Sequence, residues 1–541
     1  MEQNLKKLKH EVVLFVVTAL LLFTGLGKIE VNIMEARNLI AAREMVQNKE
    51  YLLTTLNDEP RYQKPPLPTW MTAISGAISG FESLFALRIP VVAVTFLLVF
   101  VFYYFSKLIS LNPGQSLNNA LILISSFYIF FAGRDNQWDM YTHSLMMVCI
   151  YFLWKMLSED TGELRNSALA GIFLGLSFLS KGPISLYVLL IPFLISFAIV
   201  YHFSLRKKIL YLLFVFLSGL AIGSSWYIYV SIKDPVHFKT IATRETSNWT
   251  SYEVKPFYYY WNFFIQSGLW TIPSLTALMY PYLRKKVGNI RAYRFAILWT
   301  ILSVLFLSMV PEKKARYLVP VLIPLALTTG FYIEYLKKNL NSITDKKEYG
   351  WIIFSFGIVA LIGFAYPFAL VFLFKSGILE YLALFIISVP LIWLLSFFII
   401  KGLIDSNFNR IFYSVIAVFI LIVMTIIPMR AGLSLNPGFA SAREARIIEE
   451  QHNVRTYGLN EVAPEIIWNF GKSIPVLRVD NDQVTLPSRQ SFGLVAPRGD
   501  SAVLGNRFPG YMIEKKYRID MNYDLRKKDR LIKDYYILTK R

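Results

Sequence analysis

The chain alternates long apolar blocks with short polar stretches. Uncharged blocks of about 18 or more residues are long enough to cross a bilayer as helices. Spans are predicted near 12–28, 84–106, 117–133, 139–156, 167–181, 183–202, 209–231, 259–283, 294–310, 317–336, 350–375, 378–401 and 410–430. The expected fold class is an α-helical polytopic membrane protein with about 13 transmembrane helices. Two longer polar stretches interrupt the blocks, at 28–83 and 232–258. After 435 the pattern changes to ordinary charge density. There Ala442–Gln451 and Pro464–Phe470 read as helices, and 454–459, 474–479, 491–495 and 534–539 as strands. The expected domains are therefore a membrane domain over 1–435, carrying the two loops, and a small α/β domain over 436–541.

Within the first loop, 35–53 has helical spacing. Leu39, Ala42, Met45 and Val46 fall near one face, with Arg37, Arg43, Glu44 and Lys49 elsewhere. That predicts a short amphipathic helix lying in the membrane interface. Arg61-Tyr62-Gln63-Lys64-Pro65-Pro66-Leu67-Pro68-Thr69-Trp70 follows, where Pro65, Pro66 and Pro68 fix a stiff, extended run.

Composition strengthens the membrane reading. Charged residues make up 17% of the 541 and apolar residues 55%, whereas a soluble chain carries about a quarter charged residues. The net charge is +20, but the basic residues sit in short clusters between apolar blocks. That is the pattern of loops on anionic lipid and argues against nucleic acid as a partner. The lone cysteine, Cys149, excludes a disulfide framework within one chain. With no small-residue cleavage site after Gly27, the first apolar run reads as a retained helix.

Lys6, Lys7 and Lys9 precede the first span, which predicts a cytoplasmic N-terminus. Alternation then puts Arg206-Lys207-Lys208, Arg284-Lys285-Lys286 with Arg291 and Arg294, and Lys337-Lys338 with Lys346-Lys347 inside, and the C-terminal domain outside. Two corners break the rule. Lys181, in Ser180-Lys181-Gly182-Pro183, and Lys313, Lys314 and Arg316, after Pro311, fall on the outer side. They either meet lipid headgroups and nearby acids such as Glu312, or hold an anionic ligand. Two independent exceptions favour the ligand. Asp139, beside Trp138 at the outer end of a span, is either a helix cap or a site carboxylate facing those cations. Asp135 is a weaker candidate, and His143, one turn on from Asp139, reads as a buried hydrogen-bonding residue.

Glu35-Ala36-Arg37-Asn38, Ala42-Arg43-Glu44-Met45 and Lys64-Pro65-Pro66-Leu67-Pro68-Thr69-Trp70 resemble the first outer loop of the lipid A aminoarabinose transferase family. These are GT-C glycosyltransferases related to protein O-mannosyltransferases. Leu179-Ser180-Lys181-Gly182-Pro183, Trp226-Tyr227 before Asp234-Pro235 and Phe238, and Lys314 and Arg316-Tyr317 with Pro320 and Pro324 resemble later motifs of the family. The resemblance thus covers nearly the whole chain. It implies a GT-C fold in the bacterial inner membrane, with the C-terminal domain periplasmic. It also implies an inverting glycosyltransferase that moves a sugar, 4-amino-4-deoxy-L-arabinose being one candidate, from undecaprenyl phosphate to lipid A or another envelope acceptor. A protein O-mannosyltransferase-like enzyme and a non-catalytic polyprenyl-phosphate-binding protein are the alternatives.

Such chemistry needs a carboxylate to orient or deprotonate the acceptor and cations to stabilise the leaving phosphate. Glu35 and Asp139 are the candidate catalytic acids. Lys64, Lys181, Lys314 and Arg316 are the candidate phosphate binders, with Arg37, Arg61, Arg244, Tyr62 and Tyr317 as further substrate contacts. Met34 stands where the family has an Asp, so Glu35 is either the substitute base or an exposed acid at the start of a helix. Gln63 stands where the family has a Glu able to help hold a metal. No cofactor is expected, and the motif residues do not support a divalent metal. The protein is expected to act as a monomer.

Overall fold

The computed structural model describes residues 2–109, 111–201, 205–374, 379–432, 436–480, 483–499, 501–523 and 527–541. The boundary expected at 435 falls outside the described residues, as do the side chains of Lys6, Lys7, Arg206 and Lys207. The chain forms two compact units. One comprises Met1–Lys28, Tyr62–Pro68 and Leu84–Met429, the other Ile29–Arg61, Thr69–Ser83 and Arg430–Arg541. This corrects the expected division, because most of the 28–83 loop is built into the unit that contains the C-terminal domain.

In the first unit, among the described residues, seven helices are long and apolar enough to cross a membrane. They are Leu84–Leu108, Lys208–Lys233, Ile290–Met309, Ala315–Ser342, Lys346–Phe374, Leu379–Ile404 and Phe408–Met429. Glu2–Phe23, Trp138–Ser158 and Glu163–Lys181 are also helices at predicted spans. Trp138–Ser158 is buried along almost its whole length. A helix that faces protein rather than lipid can carry Asp139 and His143 where a lipid-facing one could not.

Two predicted spans are broken. The 117–133 block is divided at Ser126, whose backbone is extended, into Pro113–Ser125 and Phe127–Ala132. The 259–283 block is a series of short pieces, Phe257–Tyr260, Phe263–Trp270, Thr271–Leu278 and Tyr280–Leu283, with Gly268 at φ 65°. Interrupted backbone within an apolar region is tolerated where protein surrounds it and satisfies its polar groups.

Glu163–Lys181 packs closely on Leu205–Lys233 through reciprocal glycines. A Cβ on Gly175 would lie 2.5 Å from Ile222 Cβ, and one on Gly223 would lie 2.6 Å from Phe178 Cβ. Gly171 and Gly175, with Gly219 and Gly223, are small residues four apart, the spacing that lets two membrane helices approach backbone to backbone. The contact fixes the helix that ends in Lys181. Two buried arginines close the end of Glu2–Phe23. Arg134 donates to the carbonyls of Leu21, Leu22 and Thr24, and Arg88 donates to Leu26 O at 2.6 Å. They satisfy carbonyls that a helix end leaves without intrahelical partners.

The second unit is built on a five-stranded sheet in the order 476–477, Thr456–Leu459, Ser491–Pro497, Ile532–Lys540, Tyr511–Asp520. The first two pairings are parallel and the last two antiparallel. Helices Ala442–Gln451 and Pro464–Phe470 cover it, and Ile40 joins their core with Ala445, Ile466, Phe470, Ile519 and Tyr535. The helix predicted in the first loop spans Ile33–Asn48, but Glu35 to Met45 are mostly buried within this unit. The interfacial placement is therefore corrected: both faces of the helix, including Arg43 and Glu44, are covered by protein. Arg43 lies 5.5 Å over the Trp468 ring, and burial lowers its guanidinium pKa to about 10. Glu44 accepts from Thr55 Oγ1 at 2.6 Å, Asn57 N at 2.7 Å and Asp58 N at 3.3 Å. Burial nevertheless leaves its carboxyl pKa raised.

Candidate functional site

Asp139 sits in the first turn of Trp138–Ser158, and Gln137 rather than Asp139 is the cap residue. Its side chain is therefore available for another task. The turn before it is held by Asn136, which donates to Leu87 O at 2.5 Å and accepts from Tyr141 Oη at 2.7 Å. Asp139 is 3% exposed and takes a hydrogen bond and ion pair from Lys181 Nζ. His143 follows one turn later, with Nε2 3.9 Å from Asp139 Oδ1 and Nδ1 2.7 Å from Ser185 Oγ. A buried carboxylate needs such partners, because desolvation without them costs several kcal/mol.

Lys181 is the last residue of Glu163–Lys181. Gly182 then adopts φ 80°, ψ −164°, a conformation essentially restricted to glycine. This reversal explains the Lys-Gly-Pro corner and leads into a π-helical turn at Leu186–Leu190. The Lys181 ammonium also lies 5.1 Å over the Tyr317 ring. The two corners expected to break the sidedness rule thus meet.

The second corner is held by its backbone. Val254 bridges Glu312 in antiparallel fashion, Lys313 N donates to Glu253 O at 3.1 Å, and Lys255 N donates to Pro311 O at 3.2 Å. Lys313 is turned inward, donating to Lys255 O and Val310 O, so it serves the link rather than a ligand. Lys314 Nζ donates to Glu312 Oε1 at 2.6 Å and lies 4.7 Å over the Tyr252 ring. Tyr317 Oη donates to the same carboxylate oxygen at 3.0 Å. Tyr260 Oη exchanges hydrogen bonds with the backbone of Lys314. The Arg316 guanidinium is 5.7 Å from the Tyr317 ring centre, and its buried Nε has no hydrogen-bond partner among the described residues.

The charges of Lys181 and Arg316 act on Asp139, and those of Arg316 and Lys64 act on Lys181. Lys64 Nζ lies 3.7 Å from Glu245. Three lysines are thus held by carboxylates, while Arg316 keeps donor capacity. An arriving phosphate could exchange with these carboxylates for charge-assisted hydrogen bonds.

The remaining predicted residues have partners of their own. Tyr62 donates to Asp234 Oδ2 at 2.8 Å and packs edge-on to Trp226. Arg244 is exposed on Pro235–Ser251. Glu35, Arg37 and Arg61 belong to the other unit. There Glu35 is 1% exposed with its amide bound by Asn32, Arg37 Nη1 is 3.7 Å from Met34 Sδ, and Arg61 pairs through its backbone with Thr54. Among the described residues, no group of three or more His, Cys, Asp or Glu side chains could hold a metal.

Residues 63–229, which contain Lys64, Asp139 and Lys181, match the family model of dolichyl-phosphate-mannose-protein mannosyltransferases. The undecaprenyl phosphate-alpha-4-amino-4-deoxy-L-arabinose arabinosyl transferase of Photorhabdus laumondii is 24% identical over 342 residues, covering 61% of this chain and 60% of that protein. Its namesake in Wigglesworthia glossinidia brevipalpis is 26% identical over 317 residues, covering 57% and 55%. The matched stretches thus span less than two thirds of these relatives' own length. The crystal structure of ArnT from Cupriavidus metallidurans in the apo state matches with a TM-score of 0.70 over 99% of this chain and 98% of that one, at 15% identity. Its complex with undecaprenyl phosphate gives 0.68 over 97% of each chain, at 16% identity. The chain has the GT-C fold.

Neither Ser185 as the partner of His143 nor Glu245 as the partner of Lys64 is legible in the sequence. Neither carries a local signal, because each pairing joins residues far apart in sequence. Glu312, by contrast, was legible as an acid beside a run of cations.

Proposed function

We propose that the protein is an inverting glycosyltransferase of the bacterial inner membrane. It moves a sugar from undecaprenyl phosphate to lipid A or another envelope lipid on the periplasmic face. The observation that carries this reading is the buried Asp139–Lys181 pair, with Tyr317 and Arg316 of the second outer corner beside it. The sugar assigned is 4-amino-4-deoxy-L-arabinose, after the names of the relatives. Arg316, Lys314 and Lys64 receive the donor phosphate and stabilise it as charge builds on leaving. Lys181 orients Asp139, which positions the acceptor. Tyr62 and Tyr317 line the site, with Arg244 a more peripheral contact. The N-terminus is cytoplasmic and the C-terminal domain periplasmic. The protein acts as a monomer and requires no metal.

The test incubates purified protein with labelled undecaprenyl-phosphate aminoarabinose and lipid A, and measures the modified lipid and released undecaprenyl phosphate by mass spectrometry. The expected result is transfer that survives chelation. Failure of lipid A but transfer to a peptide hydroxyl would favour the protein O-mannosyltransferase-like reading, which the family match over 63–229 motivates. Donor binding without release of undecaprenyl phosphate would favour a non-catalytic binding protein.

A further inference from the structure

At the opposite end of Ile290–Met309 from the Pro311–Tyr317 corner lies a cavity of about 710 Å³. We propose that this groove holds an anionic membrane phospholipid, with its phosphate at Arg291 and Arg294 and one acyl chain along the helix. Four observations carry this, and none depends on the transfer reaction.

First, the groove has a polar mouth and an apolar floor. Arg291, Arg294 and Tyr280 line the mouth, and Ile297, Leu298 and Ile301 continue down the same helix. Second, its length fits one leaflet. The ten steps from Arg291 to Ile301 rise about 15 Å at ~1.5 Å per residue, about half of a ~30 Å hydrocarbon core. Third, the two arginines are three residues apart and so lie on one helical face.

Fourth, their charge is uncompensated. Arg291 donates to Val200 O at 3.2 Å and Tyr201 O at 3.1 Å and stacks 4.6 Å from the Tyr201 ring, while Arg294 donates to Tyr280 Oη at 2.9 Å. Among the described residues, neither arginine makes an ion pair with a carboxylate, unlike Lys64, Lys181 and Lys314. Carbonyl and hydroxyl acceptors fix the guanidinium planes without neutralising them. Each plane retains donors in the fork geometry that matches a phosphate.

A zwitterionic lipid brings its own cation and gains less from this pair. A soluble polyanion would leave the apolar floor exposed. An anionic lipid satisfies both, as basic pockets between membrane helices generally do. The site is distinct from the Asp139 cluster, because Ile290–Met309 separates them by twenty residues, about 30 Å of helix.

Native mass spectrometry of the full chain tests this, with phosphatidylglycerol, phosphatidylcholine and undecaprenyl phosphate each supplied as the added lipid. The expected result is retention of phosphatidylglycerol at least about tenfold over phosphatidylcholine, reduced to parity in the Arg291→Gln/Arg294→Gln variant. Ile297→Trp keeps both charges but fills the floor, and should also remove the retained lipid, so a folding defect in the arginine variant does not decide the outcome. Equal retention by wild type and both variants would overturn the proposal. So would preferential capture of undecaprenyl phosphate at the groove, or retention of phosphatidylcholine equal to that of phosphatidylglycerol.

Discussion

Two buried carboxylates, Asp139 in the membrane unit and Glu44 in the second unit, show how differently this chain uses the same group. Glu44 is satisfied by two backbone amides and a threonine hydroxyl from one loop. These are neutral donors with no further charge to offer. Asp139 is satisfied by an ammonium, with an imidazole one turn away and a guanidinium acting on both. A carboxylate held by neutral donors staples a loop. One held by a cation within a set of cations can exchange that cation's attention with a ligand. Burial alone therefore does not mark a site, whereas the charge of the partners does.

The comparison can be broken most strongly by removing the partners one at a time. Asp139→Asn leaves Lys181 buried without its carboxylate, and Lys181→Met leaves Asp139 without its cation. Each should destabilise the membrane unit by about 3–5 kcal/mol, read as a lower melting temperature in detergent. The double variant should recover most of that loss. If the single losses simply add in the double variant, the two side chains are not coupled.

Arg316→Lys should raise the KM for the lipid-phosphate donor at least about tenfold while the protein melts normally. An ammonium cannot replace a planar fork on phosphate, and a charged hydrogen bond is worth about 1.5–3 kcal/mol. An unchanged KM would remove Arg316 from the proposed site. Glu44→Ala should do the opposite. Leaving Thr55, Asn57 and Asp58 without their acceptor should cost about 1–3 kcal/mol of stability, with turnover per folded molecule unchanged.

The smallest expected effect is a pH dependence at Asp234. Burial pushes this carboxyl up, but hydrogen bonds from His237 and Tyr62 outweigh it and hold the pKa below its ordinary value. A lowered folded pKa means the stabilisation is present above the range in which an unfolded aspartate titrates. It is lost as pH falls through the lower folded value. Melting curves between pH 6 and about pH 3 should therefore show a slightly steeper acid loss in wild type than in Asp234→Asn, by under about 1 kcal/mol for this partly exposed pair. Parallel curves would show that Asp234 contributes nothing.

Much of the membrane unit was legible because lipid-facing helices must be apolar over their length. The breaks at Ser126 and Gly268 were hidden inside apolar runs, where composition carries no trace of a backbone reversal. The first-loop helix was legible as a helix. Its burial was not, since Ile40 packs against residues some 400 positions later, such as Ala445 and Phe470. In the C-terminal sheet, Tyr511–Asp520 is not legible as a strand. It is an edge strand with Lys515, Lys516 and Arg518 along it, a charged pattern that guards edges and blurs the apolar alternation. The site was legible in part through a contradiction. Lys181 and the Lys314–Arg316 corner violated charge sidedness, and the fold brings Lys181 over Tyr317.

The central proposal is that the reaction depends more strongly on Asp139, held by Lys181, than on Glu35. The direct test compares Asp139→Asn and Glu35→Gln in the same transfer assay, normalised to folded protein. The account predicts that Asp139→Asn loses about 10²–10⁴-fold in turnover, while Glu35→Gln loses less than about tenfold. Wild-type turnover in Asp139→Asn, or a loss in Glu35→Gln as large as that in Asp139→Asn, would contradict it.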